Sequence, residues 1–217
     1  MIGKIFLALT LPLFFYGAVD LDVEKDLDYI SKNIGGDALL LEATLYEQGS
    51  AEQGIEPNLN RAFEVYAKLY KQGNPVAAYK LGMLAWGIEQ DSKSYDNKLK
   101  GILKKTDGLS PIAYFEKGAH MNSSYRYQTI TPLLREVWGI YTFAKEDYAK
   151  TIEILSDPSV SDFSVAQLYM AFAYLELKQT ELANLFLNRA CNNPNKKEQV
   201  AAFCADSSSL ERIKLGE

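Results

Sequence analysis

Residues 38–49 read ALLLEATLYEQG, and residues 77–87 read AAYKLGMLAWG. Ala38, Leu45, Tyr46 and Gly49 of the first stretch are answered by Ala77, Leu84, Ala85 and, loosely, Gly87 of the second, a register of 39. A second echo lies downstream, where Val65-Tyr66-Ala67-Lys68 ending at Gly73 returns as Tyr114-Phe115-Glu116-Lys117 ending at Asn122, a register of 49. Recurrence at such periods marks arrays of helical hairpins, in which each hairpin buries its apolar face only against its neighbours. No segment alternates at period two for long enough to build a sheet. The expected class is therefore all-α: a right-handed α-solenoid of antiparallel helical hairpins, an alpha-alpha superhelix.

Working outward, Val23, Leu27 and Ile30 fall at helical spacing before Gly35-Gly36 stop the run, and the next helix is expected over 37–48. Asn58 or Asn60 can cap a helix ending at Gly73, because a side-chain oxygen accepts an otherwise orphan amide hydrogen. Asn74-Pro75 repeats that logic for a helix ending at Gly87. Residues 88–108 break the period. They are polar and carry Lys98, Lys100, Lys104 and Lys105, which predicts an insertion between the two helices of one hairpin, projecting from one face. Ser110-Pro111 restarts the second helix. Pro132 starts or kinks a helix running to about Ala144, and Asp147 to Leu155 forms its partner. Ser161 or Asp162 is expected to cap a helix reaching Leu177, with Thr180 to Asn192 paired against it. Helical signals at Gln199 to Ala205 and Leu210 to Leu215 would cover the open end, so residues 194–217 read as capping helices.

The chain has 217 residues, 47% hydrophobic and 24% charged, which is ordinary for a globular protein and argues against wholesale disorder. A net charge of −5 disfavours a nucleic-acid partner, since nothing would neutralise a run of phosphates. At the N-terminus, Lys4 precedes the apolar run Ile5 to Phe15, then Gly17-Ala18, then Asp20, Asp22 and Glu24. That order fits a secretory signal peptide over residues 1–18, although Tyr16 sits where a small residue is preferred, and a buried N-terminal helix is the alternative. Localisation is expected to be periplasmic or secreted, with no membrane contact after cleavage. Cys191 and Cys204 form an even pair in an exported chain, which suggests one disulfide; two buried thiols are the alternative. The bond would close a loop of roughly 14 residues and stabilise by about 3 kcal/mol in the chain-entropy estimate. Cys191 lies just before Pro194, so pairing requires the next helix to start near Lys197 or later.

The first half, within residues 19–122, resembles Sel-one-like repeats, longer relatives of the tetratricopeptide repeat. The resemblance rests on Ala38, Tyr46, Gly49, Ala62, Tyr66, Lys68, Gln72, Gly73, Ala77, Leu81-Gly82, Phe115, Lys117 and Ala119. In that family Leu81-Gly82 is the helix-contact pair, where glycine lets two backbones approach. The first copy departs, with Glu42 and Ala43 in those places. Residues 123–193 resemble ordinary tetratricopeptide units: Ala171, Tyr174, Ala183 and Ala190 fit the small-aromatic-small-small pattern, and Gly139 and Tyr148 open the preceding unit.

The resemblance implies a protein–protein scaffold or adaptor, not an enzyme, binding another envelope protein or a peptide segment of one. Carried over residue by residue, it places Leu133, Glu136, Ile140, Phe143, Val165, Leu168, Phe172 and Leu175 on a concave partner groove, unless neighbouring helices or the C-terminal cap already cover them. Phe172→Glu or Ile140→Glu would then abolish partner binding with helicity intact. Two alternatives stand beside this: a cell-wall protein recognising penicillin or peptidoglycan, as some cysteine-rich relatives do, and a purely structural part of an envelope assembly.

No catalytic, cofactor or metal set emerges. His120 is the only histidine, and no Ser-x-x-Lys or phosphate loop is present. Glu146-Asp147 reads as capping at a helix start. The lysines of 98–105 could dock an acidic partner or a lipid surface, but Asp91, Asp96 and Asp107 dilute their field, which favours a solvated loop.

Overall fold

A computed structural model describes residues 38–51, 54–121 and 128–205. Among these residues there are ten α-helices and no strand, so the described chain is all-α. It divides into two compact units, one spanning Ser31–Trp138 and the other taking in Gly139–Glu217. The expected signal segment, the run Val23 to Ile30 with its stop at Gly35-Gly36, and the helical signal Leu210 to Leu215 lie outside the described residues.

The first unit contains α1 (Ala38–Gln48), α2 (Leu59–Lys71), α3 (Pro75–Gln90), α4 (Asn97–Lys104), α5 (Pro111–Ala119) and the first part of α6 (Ile130–Ala144). Helix α1 packs on α2, α2 on α3, and α3 on α5. Local chemistry sets the starts. Asn58 Oδ1 accepts the Arg61 amide hydrogen at 3.0 Å, which leaves Asn60 free to donate to Asp96 instead. Asn74 Oδ1 accepts from Val76 and Ala77 (2.9 and 3.2 Å), with Pro75 at the first helical position. Between α2 and that cap, Gly73 takes φ 81°, a conformation that costs glycine nothing.

Small residues let these helices close on one another. Ala62, Ala77, Ala78 and Ala85 are fully sealed beside Tyr66, Leu81, Tyr114 and Phe115. The Leu81-Gly82 contact is tight, but it is not backbone against backbone. A Cβ on Gly82 would lie 2.4 Å from Phe115 Cε1, so the missing side chain makes room for a ring.

Helix α3 does not stop at Gly87. Ile88 continues its buried face at 5% exposure, and the helix runs to Gln90 with Asp91 as C-cap. Nor does the following segment project as a polar loop. A short 3₁₀ turn (Ser92–Ser94) leads into α4, which Asp96 caps by accepting from the Leu99 amide at 2.8 Å. Leu99 and Leu103, four apart, are buried, and α4 folds back against α2. The lysines occupy the solvent side of an amphipathic helix.

The second unit holds the end of α6, then α7 (Tyr148–Leu155), α8 (Ser164–Glu176), α9 (Thr180–Asn192) and α10 (Glu198–Ala205). Asp147 caps α7 through the Lys150 amide at 3.1 Å. A Cβ on Gly139 would lie 2.4 Å from Leu155 Cδ2, the same device as at Gly82. Helix α8 pairs with α9, and Met170, Ala171, Ala183 and Ala190 are sealed at 0% exposure. Neither Ser161 nor Asp162 caps α8. Both lie in a turn held by the fully buried Val160, whose carbonyl accepts from the Phe163 amide at 2.8 Å, and the helix begins two residues after Asp162. Ser164 Oγ instead accepts from the Lys197 amide at 3.1 Å, anchoring the approach to α10.

Gly82→Ala is expected to destabilise by about 1–3 kcal/mol through overpacking against Phe115. Gly101→Ala should stabilise by roughly 0.5–1 kcal/mol, because that mid-helix glycine has open space where a Cβ would go. Equilibrium urea unfolding of the two variants reads the signs; shifts in the same direction would contradict this packing.

Candidate functional site

Of the eight residues expected to line a groove, Glu136, Ile140, Phe143, Leu168 and Phe172 are buried, and Leu133, Val165 and Leu175 are half-buried. Within the second unit, Phe143 meets Tyr148, Tyr169 and Phe172 at ring-centroid distances of 5.4, 5.3 and 6.2 Å. Phe172 in turn receives Phe203 of α10 edge-on at 5.4 Å. That part of the face is filled by the protein's own aromatics, and α10 covers it. The Cys191–Cys204 disulfide ties α9 to α10 across the turn at Pro194, with Cα atoms 5.6 Å apart. Helix α10 starts at Glu198, late enough for the pairing, as the spacing required.

Ile140 is 1% exposed. A charge there could not leave the fold intact, contrary to the reading of Ile140 as a surface contact. The large hydrophobic side chains most exposed in this unit are Leu177, and Leu182 and Leu185 on α9, at 38%, 38% and 44%, and Arg189 stacks over the Phe186 ring at 5.1 Å.

Three groups of polar side chains stand out in the first unit. Glu47 accepts from Lys80 Nζ at 2.9 Å and from the Tyr66 hydroxyl at 2.6 Å, joining α1, α2 and α3 through an ion pair that is largely withdrawn from water. Asp107 accepts from the Tyr70 hydroxyl and from Lys117 Nζ (3.0 Å), and the same ammonium sits 4.8 Å above the Tyr70 ring. Tyr114 donates to the Gly108 carbonyl at 2.8 Å. Burial pushes Tyr70 far above its ordinary value, with the Asp107 carboxylate adding to the effect, and burial pushes Tyr114 up to about 12. Neither phenol is an anion at neutral pH. Burial also pushes the Asp107 carboxyl up, but the hydrogen bonds from Tyr70 and Lys117 outweigh it and leave it below 3.8. This group fastens the loop after α4 to α2 and α5.

The third group is a groove. Between α2 and α4 runs an open trough of about 500 Å³, walled by Lys68 and Lys71 on one side and by Lys98 and Lys105 on the other. Glu64 lies at its edge, 3.0 Å from Lys98 Nζ. The hydrogen bond from Lys98 holds the Glu64 carboxyl below its usual range against the opposing effect of burial, and the charges of Lys98, Arg61 and Lys68 reinforce it. The acids that diluted the lysines along the chain are engaged elsewhere: Asp96 on the α4 cap and Asn60, Asp107 on Tyr70 and Lys117, Asp91 on Ser94 and Lys93. The sequence offers Lys98 to Lys105 as a dock for an acidic partner, but not the second wall of the groove, because Lys68 and Lys71 lie some thirty residues before Lys98 and only the fold-back of α4 brings them together.

His120 follows α5, exposed, with its Nδ1 2.8 Å from the Glu116 carbonyl and its ring edge-on to Trp138. Among the described residues no cluster of His, Cys, Asp and Glu could hold a metal ion, and no helix is long and apolar enough to cross a membrane. Comparisons with protein-family models, with curated proteins and with solved structures return no match.

Because the folded Asp107 carboxyl titrates below its ordinary 3.8, its contribution is present above that value and is lost as pH falls through the depressed one. Asp107→Ala should cost about 1–2 kcal/mol at neutral pH, a figure discounted for partial exposure. The gap between wild type and variant, followed by urea unfolding across pH, should close on acidification; a gap that persists in acid would show that the carboxylate charge is not what holds the loop. Separately, Ile140→Glu should cost at least about 3 kcal/mol or unfold the chain, which circular dichroism reads directly.

Proposed function

We propose that this chain is an exported, non-catalytic helical-repeat protein of the Sel-one-like and tetratricopeptide kind. Its hairpins stack as a right-handed solenoid, and it acts as a scaffold or adaptor for another protein of the cell envelope. The observation that carries the reading is the α8–α9 hairpin, where Ala171, Ala183 and Ala190 are all sealed at 0% exposure and Tyr174 stacks on Phe186 at 5.4 Å. Those are the positions that the tetratricopeptide pattern reserves for small and aromatic residues, and burial at the helix contact is the physical reason for the pattern. The Cys191–Cys204 bond supports export, because such bonds persist in oxidising compartments and are rare elsewhere. The polar groups of the first unit support a scaffold, since Glu47, Lys80, Asp107 and Lys117 serve to join helices.

With the expected face filled by aromatics and by α10, the exposed Leu182 and Leu185 on α9 become the contact surface offered to a partner. A photo-cross-linking residue placed at Leu185 in expressing cells should trap a discrete adduct in the envelope fraction. In the same sample the two cysteines should resist alkylation until reduced. Freely alkylated thiols in full-length protein would remove the export reading, and irradiation without a discrete adduct would remove the scaffold reading at this surface.

A further inference from the structure

The trough between α2 and α4 has the chemistry of a binding site for a chain of carboxylates. On α2, Lys68 and Lys71 stand one turn apart; on α4, Lys98 and Lys105 are separated by roughly 10 Å of helix. All four are exposed, and Glu64 is the one carboxylate among the residues lining the trough. This is a local concentration of positive charge on a chain whose net charge is −5. Between the lysines its half-buried lining is largely apolar or bare, with Ala67, Ile102 and Gly101 beside the polar Thr106 and the exposed Asn97. Gly101 is informative. It sits inside α4 without a left-handed φ, and a Cβ there would meet nothing within 4 Å. Neither backbone geometry nor internal packing calls for glycine, and alanine would favour the helix. What glycine provides is depth in the trough.

The arrangement favours an acidic peptide over a phosphate group or a lipid surface. Four separate ammonium groups along an elongated trough match carboxylates spaced along a chain, whereas one compact phosphate would engage only a fraction of them. No arginine fork lines the trough, and the helix N-terminus beside it is already occupied, since Asp96 accepts from the Leu99 amide at 2.8 Å. A flat membrane surface would leave the recess between the lysines unfilled. Apolar side chains set between acidic ones would fill it.

We propose that this groove docks an acidic segment of a partner protein, with its carboxylates paired to Lys68, Lys71, Lys98 and Lys105 and its intervening side chains resting on Ala67, Gly101 and Ile102. The proposal deepens the scaffold reading and rests on it for biological meaning, but the site is tested separately from the α9 surface. The probe is a short fluorescein-labelled peptide of alternating Glu and Ala, titrated with the full-length chain and followed by fluorescence anisotropy.

Saturable binding that weakens with added salt is expected. The pair Lys68→Glu and Lys105→Glu should weaken it by about tenfold or more, equivalent to roughly 1.4 kcal/mol. The same charge change at Lys93 and Lys196, which do not line the trough, should alter it by less than about twofold. Gly101→Leu should block binding while the melting temperature holds or rises, and Glu64→Gln should tighten binding by removing the competing carboxylate from Lys98. Absence of saturable binding, equal losses from both lysine pairs, or insensitivity to Gly101→Leu would overturn the proposal. So would groove-dependent binding to phosphatidylglycerol vesicles or polyphosphate in preference to the peptide. Loss of the Leu185 cross-link would leave this result untouched, so the two readings fail independently.

Discussion

Helix separation in this protein is set by glycines whose missing side chains are filled by a neighbour. The Phe115 ring occupies the place of a Gly82 side chain, Leu155 that of Gly139, and Leu134 reaches to 2.9 Å of where a Cβ on Gly118 would stand. Each contact brings one helix close to a large apolar group on the next, and the alanines around it keep the approach uniform along the interface. Interiors are packed to near-crystalline density, so a methyl added at such a position meets space already occupied. The burial of Tyr66, Tyr114 and Phe115, the engagement of Glu47 with Lys80, and the seating of α5 on α3 all presuppose this spacing.

What could be read from the chain, and what could not, follows from the range of the interactions. Caps are local, so Asn58, Asn74 and Asp147 mark helix starts within three residues, and Pro194 with the position of Cys204 bounds the turn that the disulfide crosses. Ser161 and Asp162 look equally good as caps, yet they lose to a non-local fact, the burial of Val160 that sets the turn. Helix α4 was hidden because four lysines between 98 and 105 dominate its composition, while Leu99 and Leu103 supply the face that folds it. Whether the expected groove face is open or covered is not legible in the sequence for a related reason. Hairpin periodicity identifies a helix's inward side, but whether that side meets a partner or Phe203 depends on where the chain goes thirty residues later.

The same logic governs the charges. Counted along the chain, the lysines after Asp91 are balanced by nearby acids; in space the acids turn to caps, tyrosines and Lys117, and the lysines are left facing α2. Charge patterning in sequence is thus a poor guide to local potential wherever carboxylates have structural work at helix starts.

The Cys191–Cys204 disulfide has a consequence for α10. Helix α10 is eight residues long, too short to persist as a helix alone in water, and it meets the rest of its unit mainly through Val200 and Phe203. Tethering it to α9 raises its effective concentration at the aromatic face far above that of any free competitor in solution. A weak intramolecular contact is thereby made persistent, and any molecule seeking the rings of Phe143 and Phe172 must compete against a helix that cannot diffuse away.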